Sequence, residues 1–173
     1  MEQNYIDLGL RLNGNKILFA DHNLGASKHE EYGDMITLED IPAVEERIRK
    51  EFGEGWRLPD YDELNLLLSD TVNREWDNNY KKTNKTGLKI KGKDSFSNTT
   101  MFLPAAGCIT KDKRHIDTGE YGHYWSKTLY EDFLYENDQD SSWNLRFRDD
   151  DNYMVYDYCY FGQSIRPVLV MPE

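Results

Sequence analysis

One stretch of this chain dictates where a helix must begin and what must lie beside it. Residues 53–68 read GEGWRLPDYDELNLLL. Gly53 and Gly55 break whatever precedes them, and Pro59 biases Leu58 away from helical geometry. Asp60 is then placed to cap a helix starting at Tyr61, with Glu63 three residues on as the reciprocal member of a capping box. Leu64, Leu67 and Leu68 recur at helical spacing with Tyr61 one turn earlier, which predicts a single buried face. Trp56, Leu64, Leu67, Trp125 and Ile165 are expected to be buried together.

The rest of the chain arranges itself around this segment. An Asn13-Gly14 pair between apolar runs predicts a hairpin joining residues 5–8 to 17–20. A helix is predicted over residues 38–52, with Pro42 near its first turn, Val44, Ile48 and Phe52 as a buried stripe, and Gly53 as its end. Residues 71–79 are polar and read as irregular. Residues 86–91 read as a strand with Leu88 and Ile90 on one face, and residues 100–104 as another. Ala105-Ala106-Gly107 suit close packing of backbone on backbone. Residues 111–119 form a charged loop. Trp143, Leu145 and Phe147 alternate with Asn144, Arg146 and Arg148, which predicts a strand burying the first set and showing the second. Residues 149–152 turn the chain, and residues 165–170 close the fold as a strand in which Pro167 marks an edge or a bulge. No linker or repeat interrupts these elements, so one α+β domain spans residues 1–173.

Charge excludes several partners. The net charge is −11, from 21 Lys and Arg against 32 Asp and Glu, which disfavours a nucleic-acid backbone or an anionic membrane. No apolar run approaches the length of a membrane helix, and the opening MEQNYIDLGL carries no export signal, so a cytoplasmic or phage-borne protein is expected unless a leader was removed. Aromatic residues reach 13%, 12 of them Tyr, which suits a sheet-rich domain whose half-buried surfaces use rings with a polar tip.

Motifs for catalysis are missing. His22, His29, His115 and His123 lack metal-ligand spacing and read as surface or loop residues. There is no GxSxG, no phosphate loop and no GxGxxG. Cys108 and Cys159 do not make a zinc motif and read as packing thiols, with a disulfide between neighbouring strands as the alternative. The acidic run at residues 149–151 lacks calcium-loop spacing. No cofactor and no metal are expected, and fold and binding should survive chelation.

Taken in order, YIDLGL, FADHNLGAS, GWRLP, FLPAAG, YGHYWS, WNLRF and FGQSIRPV cover nearly the whole chain. In these strings it resembles the bacterial domains of the Fibrobacter succinogenes major paralogous type. That resemblance implies a C-type-lectin-like fold, two helices on a twisted, mainly antiparallel sheet, related to formylglycine-generating enzymes and to variable proteins diversified by retroelements. In the latter, the segment matching residues 127–162 carries the varied ligand surface. Neither cysteine sits where the enzymes bind copper, so oxidase activity is not implied. Calcium-dependent sugar binding is not implied either, because Glu-Pro-Asn is missing and Trp143-Asn144 is followed by Leu145.

The expectation is therefore a non-enzymatic module for a protein or carbohydrate ligand, with a homo-oligomer open to it, and with a phage or cell structural or assembly protein, or a degenerate enzyme of the formylglycine-generating type, as alternatives. Its binding surface is expected from Tyr130, Asn144, Arg146, Arg148, Tyr153, Tyr156, Asp157, Tyr158 and Tyr160. Tyr156, Tyr158 and Tyr160 should project one way along an extended segment, roughly 7 Å apart, with the two arginines at the edge of the row.

Overall fold

A computed structural model describes residues 5–131 and 140–173, so residues 1–4 and 132–139 of the segments discussed above lie outside the described residues. In chain order the strands and helices are β1 (Tyr5–Ile6), β2 (Arg11–Leu12), β3 (Asn15–Ala20), α1 (Ile41–Phe52), β4 (Trp56–Arg57), α2 (Tyr61–Asn65), β5 (Asn73–Asp77), β6 (Gly87–Lys91), β7 (Thr100–Pro104), β8 (Cys108–Ile109), β9 (His115–Ile116), β10 (Gly122–Tyr130), β11 (Ser141–Arg148), β12 (Asp151–Tyr158) and β13 (Val168–Pro172). The fold is mixed α and β, with two short helices and strand ladders that are antiparallel throughout. No helix among the described residues is long and apolar enough to cross a membrane.

Three sheets carry most of the molecule. The first runs β1-β3-β13-β4, with β2 folded onto β3 through the Asn13-Gly14 turn. Both turn residues have positive φ, 52° and 78°, the geometry whose twist matches a two-residue hairpin. The second is β5-β6-β7 and the third β10-β11-β12. β5 corrects the irregular reading of residues 71–79. Its sequence NREWD has no apolar alternation, and pairing with β6 makes the strand, helped by Arg74 donating to the carbonyls of Leu67 and Ser69.

The organising segment behaves as its residues require. Asp60 accepts from the Glu63 amide at 2.9 Å, and Glu63 accepts in return from the Asp60 amide at 2.9 Å. Glu63 is buried, and Arg57 grips it with two hydrogen bonds of 2.8 and 2.6 Å. The carboxylate thus serves helix start and strand together. Helix α2 passes after Asn65 into a single tighter turn, Leu66–Leu68, with Leu64 and Leu67 buried and Leu68 half-buried. Helix α1 buries Val44 and Ile48 as expected and starts at Ile41, capped by Asp40.

The core divides in two. Leu64 and Leu67 pack with Phe19, Leu88, Tyr124, Leu145 and Phe147, whereas Trp56, Trp125 and Ile165 pack with Leu38, Ile48 and Leu58. All five residues expected to be buried together are buried, but in two separate clusters. The strand expected over residues 165–170 begins only at Val168; Pro167 precedes it, its carbonyl accepting from Ala20 at 2.9 Å.

Candidate functional site

The third sheet positions the site. β10 pairs with β11 from Gly122 to Trp125, then slips in register before resuming at Leu129. Hydroxyls patch the slip: Ser126 donates to the Trp143 carbonyl at 2.6 Å, and Ser142 to the carbonyls of Ser126 and Thr128. The irregular stretch also docks the organising segment, with the Lys127 amide donating to Pro59 and the Tyr61 amide to the Thr128 hydroxyl. On one face of this sheet Tyr124, Leu145 and Phe147 enter the core. On the other lie His123, Asn144, Arg146, Tyr153 and Asp157, since Arg146 registers with both His123 and Tyr153.

That second face is not open to water along its length. Asn144 is fully buried, contrary to its expected exposure, because the segment around Gln163 lies over it. Asp157 gathers three side chains there: Asn144 donates at 2.8 Å, Gln163 at 2.9 Å, and Arg146 reaches both carboxylate oxygens at 2.9 and 2.8 Å. Beside this network is a recess of about 330 Å³, lined on its polar side by Asp117, His123, Arg146, Asp157 and Gln163, with Tyr121, Tyr153, Ile116, Phe161 and Cys108 completing it.

The wall opposite the sheet exists because of small residues. A Cβ on Gly107 would sit 2.0 Å from the Ile116 carbonyl, so glycine lets residues 116–118 lie directly on the strand leading to Cys108. Cys108 pairs with Ile116, and Asp117 follows at φ 63°, its carbonyl accepting from the Glu120 and Tyr121 amides. This is the close backbone packing expected of Ala105-Ala106-Gly107, and it carries an acidic side chain to the recess.

Several polar atoms of the recess face no partner. His123 is only 4% exposed, and neither ring nitrogen makes a hydrogen bond; Arg146 Nε and Gln163 Oε1 are likewise buried without one. Burial, reinforced by the Arg146 charge, pushes His123 down to about 4, so the ring is neutral near pH 7. Burial pushes the Cys108 thiol up to about 11, with Asp117 and Asp157 adding to the effect. The expectation of surface histidines therefore fails for His123, which the YGHYWS strand turns inward. Cys108 and Cys159 are both free thiols, not a disulfide.

The nine residues expected to form one surface fall into separate groups. Arg146, Tyr153 and Asp157 line the recess, and Asn144 braces it from beneath. Tyr156 registers with Trp143, on the opposite face, where its ring stacks on Tyr130 at 3.7 Å and meets Trp143 edge-on at 5.4 Å. Trp143, expected to be buried, is half-buried, and its ring meets those of Tyr61, Tyr130 and Tyr156 edge-on. Tyr158 ends β12, so Tyr160 does not extend the row at strand spacing but stacks back on Tyr158 at 5.2 Å. Arg148 sits at the β11–β12 turn against Asp150 and the Tyr121 hydroxyl. Neither arginine flanks the tyrosines. Sequence reasoning missed Cys108, Asp117, Tyr121, His123 and Gln163, which four different chain segments supply; the one available signal was a histidine inside a strand otherwise full of buried aromatics.

Residues 61–168 match the family described as Domain of unknown function (DUF8237), and the chain belongs to that family. The match takes in the whole recess. No curated protein and no solved structure matches the chain.

Proposed function

We propose that this domain is a C-type-lectin-like binding module and not an enzyme, with the recess on the β10–β12 sheet as its ligand site. The fold assignment draws support from the pairing of β13 between β3 and β4, which brings the first and last strands into one sheet, and from two helices inserted before the second and third sheets. Placing the ligand surface within residues 127–162 is supported by Arg146, Tyr153 and Asp157; a retroelement-diversified variable protein would carry its varied residues in that span. The non-enzymatic reading is supported by a thiol that burial keeps protonated and an imidazole that burial makes a weak base, which serve poorly as nucleophile and general base.

The observation that carries the reading is the set of buried atoms without partners, His123 Nδ1 and Nε2, Arg146 Nε and Gln163 Oε1, on residues lining one recess. Buried polar groups are almost always satisfied, so such a concentration in one recess supports the reading that a ligand completes these bonds. The volume lies at the low end of ligand sites, which run from roughly 300 to 1,000 Å³. With Arg146 neutralised by Asp157, and Tyr121, Tyr153 and Phe161 offering ring surface, the recess suits a small neutral hydroxylated ligand of monosaccharide size.

The test is a two-dimensional NMR titration, in chelator, with a panel of neutral and acidic monosaccharides. Shifts confined to His123, Arg146, Tyr153 and Gln163, abolished by Arg146→Gln in a protein that melts normally, support the reading. A panel that leaves these signals unmoved, or perturbs only Tyr156 and Tyr158, overturns it. Assembly through the ring surface is the second reading, favoured by the exposure of Tyr156 and Tyr158 at 44% and 42%.

A further inference from the structure

Cys108 on β8, Asp117 in the turn after β9 and His123 on β10 each turn one ligating atom to the same point. A sulfur, a carboxylate oxygen and a ring nitrogen all lie within 4.8 Å of one another. His123 Nε2 stands 3.6 Å from Asp117 Oδ2, too far for a hydrogen bond. Ligands around a tetrahedral zinc-sized ion are separated by roughly 3.5 Å, as its bond lengths of about 2.0–2.3 Å require, so a set already within 4.8 Å needs an approach of about an ångström to reach coordination distance.

The charges favour a cation. Arg146 is committed to both oxygens of Asp157. Among the described residues, His123 is the sole side chain in ion-pair range of the Asp117 carboxylate. The Asp117 carboxylate thus stands beside a nine-tenths buried imidazole neither of whose nitrogens is hydrogen-bonded, polar atoms that a bound cation would satisfy.

The geometry points to a transition-metal site of the zinc class, held by Cys108 Sγ, an Asp117 oxygen and a His123 ring nitrogen, with its fourth position open to the recess. Thiolate and imidazole donors select zinc or cobalt over calcium and magnesium, which take oxygen ligands. Three protein ligands leave a position for a hydroxyl or carboxylate of whatever enters the recess. On binding, the Cys108 S–H bond breaks, sulfur and metal join, and the proton leaves to buffer; two anionic ligands then balance the divalent ion. This inference rests on the reading of the recess as a binding site and adds an inorganic occupant to it.

The test is titration of chelator-treated protein with Co²⁺, followed by absorbance, and by calorimetry in two buffers of different ionisation enthalpy. One ion should bind per chain, with a thiolate-to-cobalt charge-transfer band, release of one proton, and displacement by Zn²⁺. Cys108→Ser should abolish the band, Asp117→Asn should weaken binding roughly tenfold or more, and Cys159→Ser should change neither. If Cys108→Ser fails to fold, proton release by the unaltered chain and the Asp117→Asn affinity decide. Folded protein that gives no thiolate band, or a band that survives Cys108→Ser, overturns the site. The sugar titration above is run in chelator, so failure of either reading is seen separately.

Discussion

Arg166 Nε donates to Asn23 Oδ1 at 2.8 Å, and the amide nitrogen of the same Asn23 donates to the Tyr124 hydroxyl at 3.0 Å. The guanidinium also donates to the carbonyls of Ala20 and Phe102, and Tyr124 donates to that of Pro104. A fully buried cation therefore joins β3, β7 and β10 through neutral oxygens. Burial works against its charge, and its head group is held by hydrogen bonds to three separate oxygens.

Arg166→Met leaves three buried acceptors without donors, each worth about 1–3 kcal/mol, so the loss should be roughly 3 kcal/mol or more. Arg166→Lys should recover little, because an ammonium cannot reproduce the planar fork. Urea unfolding measures both. A midpoint near that of the unaltered protein for either variant would mean that this node does not hold the sheets together.

Glu63 serves helix α2 and Arg57 at once, so its removal should cost more than loss of the cap alone. Asp60→Ala is expected to lower stability by about 1 kcal/mol and Glu63→Ala by about 3 kcal/mol. Replacing Arg57 and Glu63 together with Met should cost less than the sum of the single changes, since neither charge is then stranded. Strict additivity in this double-mutant cycle would deny the coupling.

Alkaline pH should destabilise the fold. Burial raises Tyr124 from 10.0 to about 12 and Cys159 from 9.0 to about 11. The folded state keeps protons that the unfolded chain releases, so their stabilisation is whole below pH 9 and is lost as pH rises, through 11 for Cys159 and 12 for Tyr124. For Tyr124 the amount is roughly 2–3 kcal/mol. Guanidinium midpoints recorded across this window should fall, less steeply above pH 10 in Tyr124→Phe. Parallel curves for the two proteins would contradict the assignment.

The ring surface and the recess lie on opposite faces of one sheet, so they should respond independently. Tyr156→Ala removes a stacked partner of Tyr130 and is expected to cost about 1 kcal/mol; Tyr158→Ala should stay within about 0.5 kcal/mol. Neither should alter sugar or cobalt binding in the recess. Sedimentation of both variants tests the assembly reading, for which a change of mass in Tyr156→Ala is the decisive sign.

Local rules were legible wherever one short stretch contains all its own causes. Asp60 and Glu63 announce their cap, Asn13-Gly14 its turn, and Leu145 and Phe147 their inward face. β5 was hidden because its strand conformation comes from the neighbour β6 and not from its own side chains. Sequence alone turns Asn144 and Arg146 to solvent, because alternation gives the face but not what covers it, and Gln163 comes from the segment that follows β12. Cys108, Asp117 and His123 have no diagnostic spacing, since three strand connections and the close approach at Gly107 bring them together.

The placement of β13 between β3 and β4 constrains how a ribosome can deliver this domain. β4 and β3 emerge early but have no contact with each other in that sheet until the strand that separates them is made. Through most of synthesis the apolar faces of both must wait, open to chaperones or to wrong partners, and the slow, long-range closure comes only after Val168–Pro172 clears the exit tunnel.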